Sequence, residues 1–390
     1  MRVLVVAPQP FYQERGTPIA TRLLVEALKA AGHDVDVLTY HVGEDPGLDG
    51  VRVFRAPAVP FVRDVPIGFS LRKVLCDLAL GWRLFTLTRR YRYDVLHAVE
   101  EAVFLSLIVP GLRRGRVVYD MDSSLPEQLL DKYGALRAVG GWLHRLERFA
   151  IARSDLVLAV CEDLAVRARG YATATPVDVI EDVSLVGDRT SGSVEDLRRD
   201  LPLGGVLALY VGNLEHYQGV AVLLDAIAAL DPSAPLKFVA IGGNAAAVAA
   251  HRTQAAALGI DSKVTFTGAR PLAELGAYLT QADVLVSPRL SGHNTPMKLY
   301  SYLAAGKAVL ATRIRSHTQI LSGDCALLVE PTALGLARGL DTLLRSPALR
   351  EQLGHAARRL AATRYSLDHF RESVASAYRR LATAHSGGGA

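Results

Sequence analysis

The chain is short of cysteine, of charge and of long apolar runs, and each shortage excludes something. Its three cysteines, Cys76, Cys161 and Cys325, lie far apart without a CxxC spacing. That rules out a disulfide framework and fits reduced, buried thiols in a cytoplasmic protein. Charged residues make up 21% of the chain and the net charge is +5. No Lys/Arg tract or basic helix face is dense enough for nucleic acid. A modest basic excess suits phosphorylated ligands or an anionic membrane surface equally. The stretches "LIVPGL" and "LCDLALGWRLF" are too short or too interrupted by charge to span a bilayer. The opening "MRVLVVAP" has no cleavage pattern of a secretory signal, and the closing "HSGGGA" reads as a tail without chemistry. A soluble cytoplasmic protein is the expectation.

Half of the residues are hydrophobic, and 390 residues exceed one ordinary core, so two domains are expected. Short β-branched runs alternate with helical patterns from "RVLVVAP" through "DVDVLTY", "DVLHAV", "RVVYDM" and "DLVLAV" to "VDVIED". This is the grammar of a parallel sheet covered on both faces. The pattern lapses over a stretch rich in Gly, Ser and charge, then restarts at "VLALYVGN". The spacing predicts a first Rossmann-like domain over 1–183, a linker over 184–203 and a second such domain over 204–365. A last amphipathic helix over 366–385 is expected to pack back on the first domain. The fold class is α/β, two doubly wound domains facing a cleft, where such sheets bind ligands at their strand C-termini.

Several loops carry groups suited to chemistry. After the first strand, "PQPFYQERGTPIATRLL" lacks the GxGxxG of a nicotinamide dinucleotide site. It places Gly16 and Thr17 at a helix start, which serves either as a plain turn or as a phosphate seat. "DVLHAVEEAVF" ends a strand with His97, then Glu100 and Glu101. Either His97 or Glu100 can take or orient a hydroxyl proton if it comes within hydrogen-bond reach. "VVYDMDSSLPEQL" supplies Asp120 and Asp122; helix capping or acceptor hydrogen bonds are favoured there over a metal ion. No metal site is expected. In the second half, "SPRLSGHNTPMK" brings Arg289 and Lys298 to a helix start with Asn294, Thr295, Pro296 and Met297. Amide donors and a cation at that place suit an anion.

The order of these segments, strongest from Val206 to Tyr365, resembles the GT-B glycosyltransferases and specifically glycosyltransferase family 4. "YVGNLEHYQGVAVLLDAI", "KVTFTGARPLAELGAYLTQADVLVSP", "KLYSYLAAGKAVLAT" and "ATRYSLDHF" follow the family's segments in order and spacing. The resemblance implies transfer of a sugar from a nucleotide-diphosphate donor, UDP- or GDP-linked, to a hydroxyl acceptor on a glycan, a lipid-linked molecule or a small molecule. It implies retention of configuration, with no metal or other cofactor. It places Gly16, Thr17, Gly212, Asn213, Gln218, His293 to Met297 and Ser301 near the donor; beside that, the residues themselves suggest Lys298 and Arg289 for the diphosphate and Glu101, Asp120 and Asp122 for the acceptor side.

The chain departs from the family where Arg and Lys usually grip the diphosphate: Asn213 and Gln218 stand there. At the two carboxylates of the E-x7-E motif it has His293 and Ser301. Two cations and two anions leave together, and Arg289 and Lys298 are the replacements at hand. His317 and Gln319 are expected to support the helix start from behind, and Glu147 to be structural. A GT-B nucleotide-sugar-binding protein without catalysis, or a hydrolase or epimerase on the same fold, are the alternatives. Arg63, Arg72 and Lys73 with Phe61 and Phe69 fit either peripheral contact at the inner membrane face or ordinary solvated surface, the second being the plainer reading.

Overall fold

Strands rich in Val, Ile and Leu with no polar face can only be satisfied when buried on both sides, and the chain builds two such sheets. The structure, a computed structural model, describes residues 1–14, 16–62, 65, 70–108, 115–132, 139–171, 173–184 and 194–383. Arg63, Phe69, residues 185–193 of the expected linker and the closing tail lie outside the described residues. The chain divides into two compact units, Met1–Glu181 with Asp368–Ala390, and Asp182–Leu367.

In the first unit the elements run β1 (Arg2–Ala7), α1 (Gly16–Ala30), β2 (Asp34–Thr39), β3 (Arg52–Arg55), α2 (Leu71–Arg90), β4 (Val95–Val99), α3 (Ala102–Ile108), β5 (Arg116–Met121), α4 (Leu125–Lys132), α5 (Gly140–Arg153), β6 (Leu156–Ala159), α6 (Glu162–Gly170) and β7 (Val177–Val179). The sheet order is β3-β2-β1-β4-β5-β6-β7 and the pairs are parallel. The order reverses between β1 and β4, so the loops after these two strands open the crevice where doubly wound sheets take ligands.

The second unit runs β8 (Val206–Val211), α7 (Val220–Ala228), β9 (Leu236–Ile241), α8 (Ala245–Ala257), β10 (Val264–Gly268), α9 (Leu275–Gln281), β11 (Val284–Ser287), α10 (Lys298–Ala305), β12 (Ala308–Thr312), α11 (Arg315–Thr318), β13 (Leu327–Val329), α12 (Ala333–Arg345) and α13 (Pro347–Arg364). Its sheet is β10-β9-β8-β11-β12-β13, also parallel, and reverses between β8 and β11. Two clusters of buried side chains cover its two faces, one including Phe238 and Leu310, the other Leu209, Val309 and Tyr302. Part of the stretch expected as linker is packed. Leu197 is buried, its N–H donates to Gln281 Oε1 at 2.8 Å, and Arg198 meets Asp283 at 2.8 Å.

The last helix, α14 (Leu367–Thr383), lies on the first unit. Its Phe370, Val374, Ala377, Tyr378 and Leu381 are buried at helical spacing. Tyr378 bonds His97, Arg116 donates to the Leu381 carbonyl, and Arg380 pairs with Asp178. All three cysteines are buried thiols. Among the described residues, no helix is long and apolar enough to cross a membrane.

Candidate functional site

The second unit gathers its polar groups at the C-terminal ends of β8 and β11, on either side of the reversal in strand order. The loop after β8 needs glycine. Gly212 has φ +145°, and a Cβ there would lie 2.9 Å from Lys298 Nζ. Gly242, after β9, has φ +116°, and a Cβ would fall 2.1 Å from the Gly212 carbonyl oxygen. The backbones thus touch where side chains would otherwise fill the space. Gly219 (φ +73°) similarly lets the loop after β8 press on the Pro288 carbonyl, and Leu290 N–H donates to Tyr217 O at 2.8 Å.

Lys298 opens α10 and turns back into this loop. Its ammonium donates to Gln218 Oε1 at 3.0 Å and stands 4.0 Å over the Tyr210 ring. The residue is half-buried along its length, yet its charged end is desolvated. Burial first, and the Arg289 charge second, hold the ammonium well below the usual lysine range. Arg289 is buried as well, which lowers its own pKa. Its Nε donates to the Ser291 carbonyl at 2.7 Å and its Nη1 to the Asn294 carbonyl at 3.0 Å. Its guanidinium lies 5.3 Å from the centre of the Tyr217 ring. Gly292, with φ +132°, leaves room for it, since a Cβ there would be 2.1 Å from Nη2. Arg289 therefore moulds the 291–294 loop while adding charge behind it. Among the described residues, neither cation forms an ion pair with a carboxylate.

The other expected donor residues take distinct places. Thr295 is buried and its Oγ1 has no hydrogen-bond partner. Pro296 is buried and Met297 half-buried, leading into the first turn of α10. Asn213 is exposed, with its carbonyl accepting from Tyr210. His293 is exposed, and its carbonyl accepts from Gln319 at 2.9 Å. Ser301 is buried, with its hydroxyl 3.5 Å from that of Ser184. His317 is fully buried behind the site. Its Nε2 meets the Ser287 hydroxyl at 3.0 Å and its Nδ1 the Thr312 carbonyl at 2.8 Å. A carbonyl only accepts, so Nδ1 carries the proton and Nε2 accepts from Ser287. Burial pushes its pKa down to about 4, helped by Arg289 and Lys298. Thr312 in turn donates to the Arg289 carbonyl, so the neutral imidazole steadies β11, β12 and the arginine together.

In the first unit, Gly16 is exposed and Thr17 half-buried at the start of α1. The acceptor-side residues cluster at the ends of β2, β4 and β5. Glu100 adopts φ +49°, its N–H donates to the Asp120 carbonyl at 2.9 Å, and its carboxylate accepts from Ser123 at 2.9 Å. Lys73, in the first turn of α2, meets Glu101 at 2.5 Å. Burial and then the Glu100 charge push the Glu101 carboxyl up, with Lys73 opposing. One turn along, Asp77 accepts from the buried Tyr40 hydroxyl, and burial raises its pKa to about 6. Lys73, Asp77 and Tyr40 belong to this constellation, and sequence reasoning missed them in it. Lys73 and Asp77 share one helix face, but their partners Glu101 and Tyr40 come from other elements, which leaves no local pattern to read.

His97 departs from the expectation of a proton acceptor. It is fully buried, and both ring nitrogens are engaged: Nδ1 with the Tyr378 hydroxyl at 2.7 Å and Nε2 with Asp120 at 3.1 Å. It ties α14 to the sheet instead. Asp120 is occupied by that imidazole, and Asp122 is half-buried beside Ser123. No group of three or more His, Cys, Asp or Glu side chains suited to a metal ion occurs among the described residues. Glu147 is structural: it accepts from Ser124 at 2.8 Å and from Tyr171 at 2.7 Å.

Two parallel-sheet α/β units, each with its polar groups at the strand-order reversal, define the class as the GT-B fold. Residues 15–181 match the family described as glycosyl transferase 4-like domain, and residues 205–346 that described as glycosyl transferases group 1. The chain belongs to these group 1, family 4-like glycosyltransferases. It is 27% identical over 399 residues to phosphatidyl-myo-inositol mannosyltransferase of Mycobacterium tuberculosis, covering 98% of this chain and 97% of that one. It is 30% identical over 186 residues to D-inositol 3-phosphate glycosyltransferase of Corynebacterium glutamicum. That alignment spans 45% of this chain and 44% of the relative, less than half of either. Among solved structures, sucrose-phosphate synthase from Thermosynechococcus elongatus superposes with a TM-score of 0.80 at 20% identity, over 98% of this chain and 99% of that one. Anabaena HepE in complex with UDP-glucose gives 0.73 at 17%, over 97% and 100%.

Proposed function

We propose that the chain transfers a sugar from a nucleotide-diphosphate donor to a hydroxyl acceptor, with retention of configuration and without a metal ion. The observation that carries this is the desolvated ammonium of Lys298, bonded to Gln218 Oε1 at 3.0 Å, with Arg289 behind it and, among the described residues, no carboxylate paired to either. Two desolvated cations beside an unpartnered Thr295 hydroxyl and a helix start form a seat for a multiply charged anion. The same groups then stabilise the departing diphosphate as the bond from the anomeric carbon to its oxygen breaks. They supply the positive charge that a divalent ion supplies in other enzymes. Glu100, whose carboxylate is positioned by Ser123, orients the acceptor hydroxyl; Glu101, Asp120 and Asp122 shape the surface around it. Gly212, Asn213, Gln218, His293, Asn294 and Ser301 line the donor side, and Gly16 and Thr17 complete the first unit's contribution.

Both relatives named above act on inositol phosphates or their lipid forms, which supports a phosphorylated polyol, free or lipid-borne, as acceptor. Complexes of fold neighbours with UDP and UDP-glucose support a uridine donor over a guanosine one.

A thermal-shift screen of nucleoside diphosphates and nucleotide sugars tests the donor, and a uridine-selective hit is expected. Lys298→Ala should lower turnover by roughly a hundredfold or more at little cost in melting temperature. Unchanged turnover in that variant removes the lysine from the mechanism. A chelator should leave the initial rate unaltered, and strict dependence on added Mg²⁺ or Mn²⁺ overturns the metal-free reading. Donor binding without turnover over a broad acceptor panel favours a binding protein instead, since His293 and Ser301 replace the family's two acids.

A further inference from the structure

A line of hydrogen bonds runs from the C-terminal helix to the acceptor-side cluster. Tyr378, fully buried on α14, meets His97 Nδ1 at 2.7 Å, and His97 Nε2 meets Asp120 Oδ2 at 3.1 Å. The far end sets the roles. A carboxylate only accepts, so Nε2 carries the ring proton and Nδ1 accepts from the phenol. Burial raises the Tyr378 pKa, which keeps the phenolic proton in place to donate. The phenol also lies nearly parallel to the imidazole, with 13° between the ring planes, so it holds the plane of the histidine as well. The tyrosine fixes the histidine, and the histidine fixes the carboxylate.

Fastening α14 does not require this line. Val374, Ala377 and Leu381 already bury an apolar seam, and an apolar pair in place of Tyr378 and His97 would fill the space without desolvating polar groups. The line also ends in the open. Asp120 stands at the end of β5, one strand from the reversal in order where doubly wound sheets take ligands. Only its Oδ2 is engaged by His97. Among the described residues its Oδ1 has no hydrogen-bond partner, and the side chain keeps 21% of its surface accessible, enough to meet a ligand. The same residue holds the backbone of its neighbour: the Asp120 carbonyl accepts from Glu100 N–H at 2.9 Å, where Glu100 adopts φ +49°. Ser123 donates to the Glu100 carboxylate at 2.9 Å. Glu100 and Asp120 are thus set at one place, and the imidazole decides how Asp120 is turned.

We infer that Tyr378 is a positioning residue for acceptor recognition: acting through His97, it turns Asp120 so that Oδ1 takes a hydroxyl of a polyol acceptor, beside the one that Glu100 orients. The acceptor's place at these strand ends is that of the proposed function, on which this role rests. Oδ1 of a carboxylate only accepts, so Asp120 selects a free hydroxyl against a deoxy position or a methyl ether. A carboxylate left to rotate keeps its charge but loses that selection, and the acceptor is then held at one point instead of two. Neither Asp120 nor Tyr378 touches the donor, so their loss is read in the acceptor's KM and in discrimination among acceptors.

Initial rates of the full chain are measured with the UDP-sugar that gives the largest thermal shift. The acceptors are D-inositol 3-phosphate, inositol, glycerol 3-phosphate, and the monodeoxy and O-methyl analogues of each. In the parent chain one position besides the reacting hydroxyl should be intolerant, its deoxy analogue losing roughly a hundredfold in kcat/KM. In Asp120→Asn the amide oxygen keeps the bond from His97 and the NH₂ turns to the acceptor, so the shape stays and the polarity reverses. That variant should raise the acceptor's KM about tenfold or more and even out the discrimination, with the donor's KM unchanged. Tyr378→Phe, assayed well below its melting temperature, should shift the acceptor's KM in the same direction. It should add little on top of Asp120→Asn, because the two act in one line. His97→Asn cuts that line and should reproduce the defect, which covers a Tyr378→Phe chain too unstable to assay. A tyrosine that only holds the fold would lower the melting temperature and leave acceptor KM and discrimination as they were. That result, or full additivity in the double variant, overturns the positioning role. An Asp120→Asn chain with the parent's acceptor KM and discrimination overturns the assignment of Oδ1 as well. A parent chain that responds to UDP but transfers to no polyol also overturns both and leaves the donor reading intact. A parent chain without a UDP response strikes the donor reading instead; calorimetry of D-inositol 3-phosphate on the parent and on Asp120→Asn then decides the acceptor contact by itself.

Discussion

Lys298 is set among an amide, an aromatic ring and another cation, so its charge is costly until an anion arrives. A bound diphosphate favours the charged form, and wherever the free ammonium is partly neutral, binding takes up a proton. Nucleoside diphosphate affinity should therefore fall as pH rises, and the calorimetric heat should vary with the buffer's own ionisation enthalpy. Lys298→Arg keeps a charge that does not titrate and should flatten that pH dependence; a slope unchanged in this variant would assign the proton elsewhere. His317 gives an opposite, acid-side signature. Its folded pKa of about 4 lies below the ordinary 6.5, so the stability it contributes is complete above 6.5 and is lost as pH falls toward 4. The difference corresponds to roughly 3 kcal/mol. Urea unfolding of the second unit at pH 7 and at pH 4 should show that loss, and His317→Asn should lack it.

At the scale of elements, the 289–294 loop depends on Gly292 as much as on its arginine. Gly292→Ala would drive a methyl into the guanidinium and should weaken nucleotide binding severalfold or more, read by calorimetry, while the sheet stays folded. Helix α14 is tied to the buried sheet histidine by one hydroxyl. Tyr378→Phe leaves the buried His97 Nδ1 without a partner and should cost roughly 1–3 kcal/mol, read as a lower melting temperature of the first unit. Parallel strands announce themselves as short continuous apolar runs, so "RVLVVAP", "DVDVLTY" and "AVLAT" could be read directly and became β1, β2 and β12. Lys298 was legible because a lysine beside Pro and Thr at a helix start has a local meaning. His97 was not, because its partner lies 281 residues away. The Lys73–Glu101 and Asp77–Tyr40 contacts were hidden for the same reason: long-range pairs leave no periodic trace.

Over the whole molecule, the function proposed above puts donor and acceptor chemistry in different units, and this can be checked residue by residue. Hydrogen exchange with saturating UDP should slow amides in 212–219 and 289–300, and Lys298→Ala should remove that protection. At about a hundred times the dissociation constant, the nucleotide should add about 2.7 kcal/mol to the unit that binds it. A global slowing insensitive to Lys298 would place the nucleotide elsewhere.

The return of α14 to the first unit has a consequence during synthesis. The ribosome releases β1 to β7 long before residue 378 exists, so the nascent sheet has an uncovered apolar seam and a histidine waiting for its phenol. Chains stalled or truncated ahead of Leu367 should bind chaperones and be cleared by proteases, although every strand of that sheet has already been made.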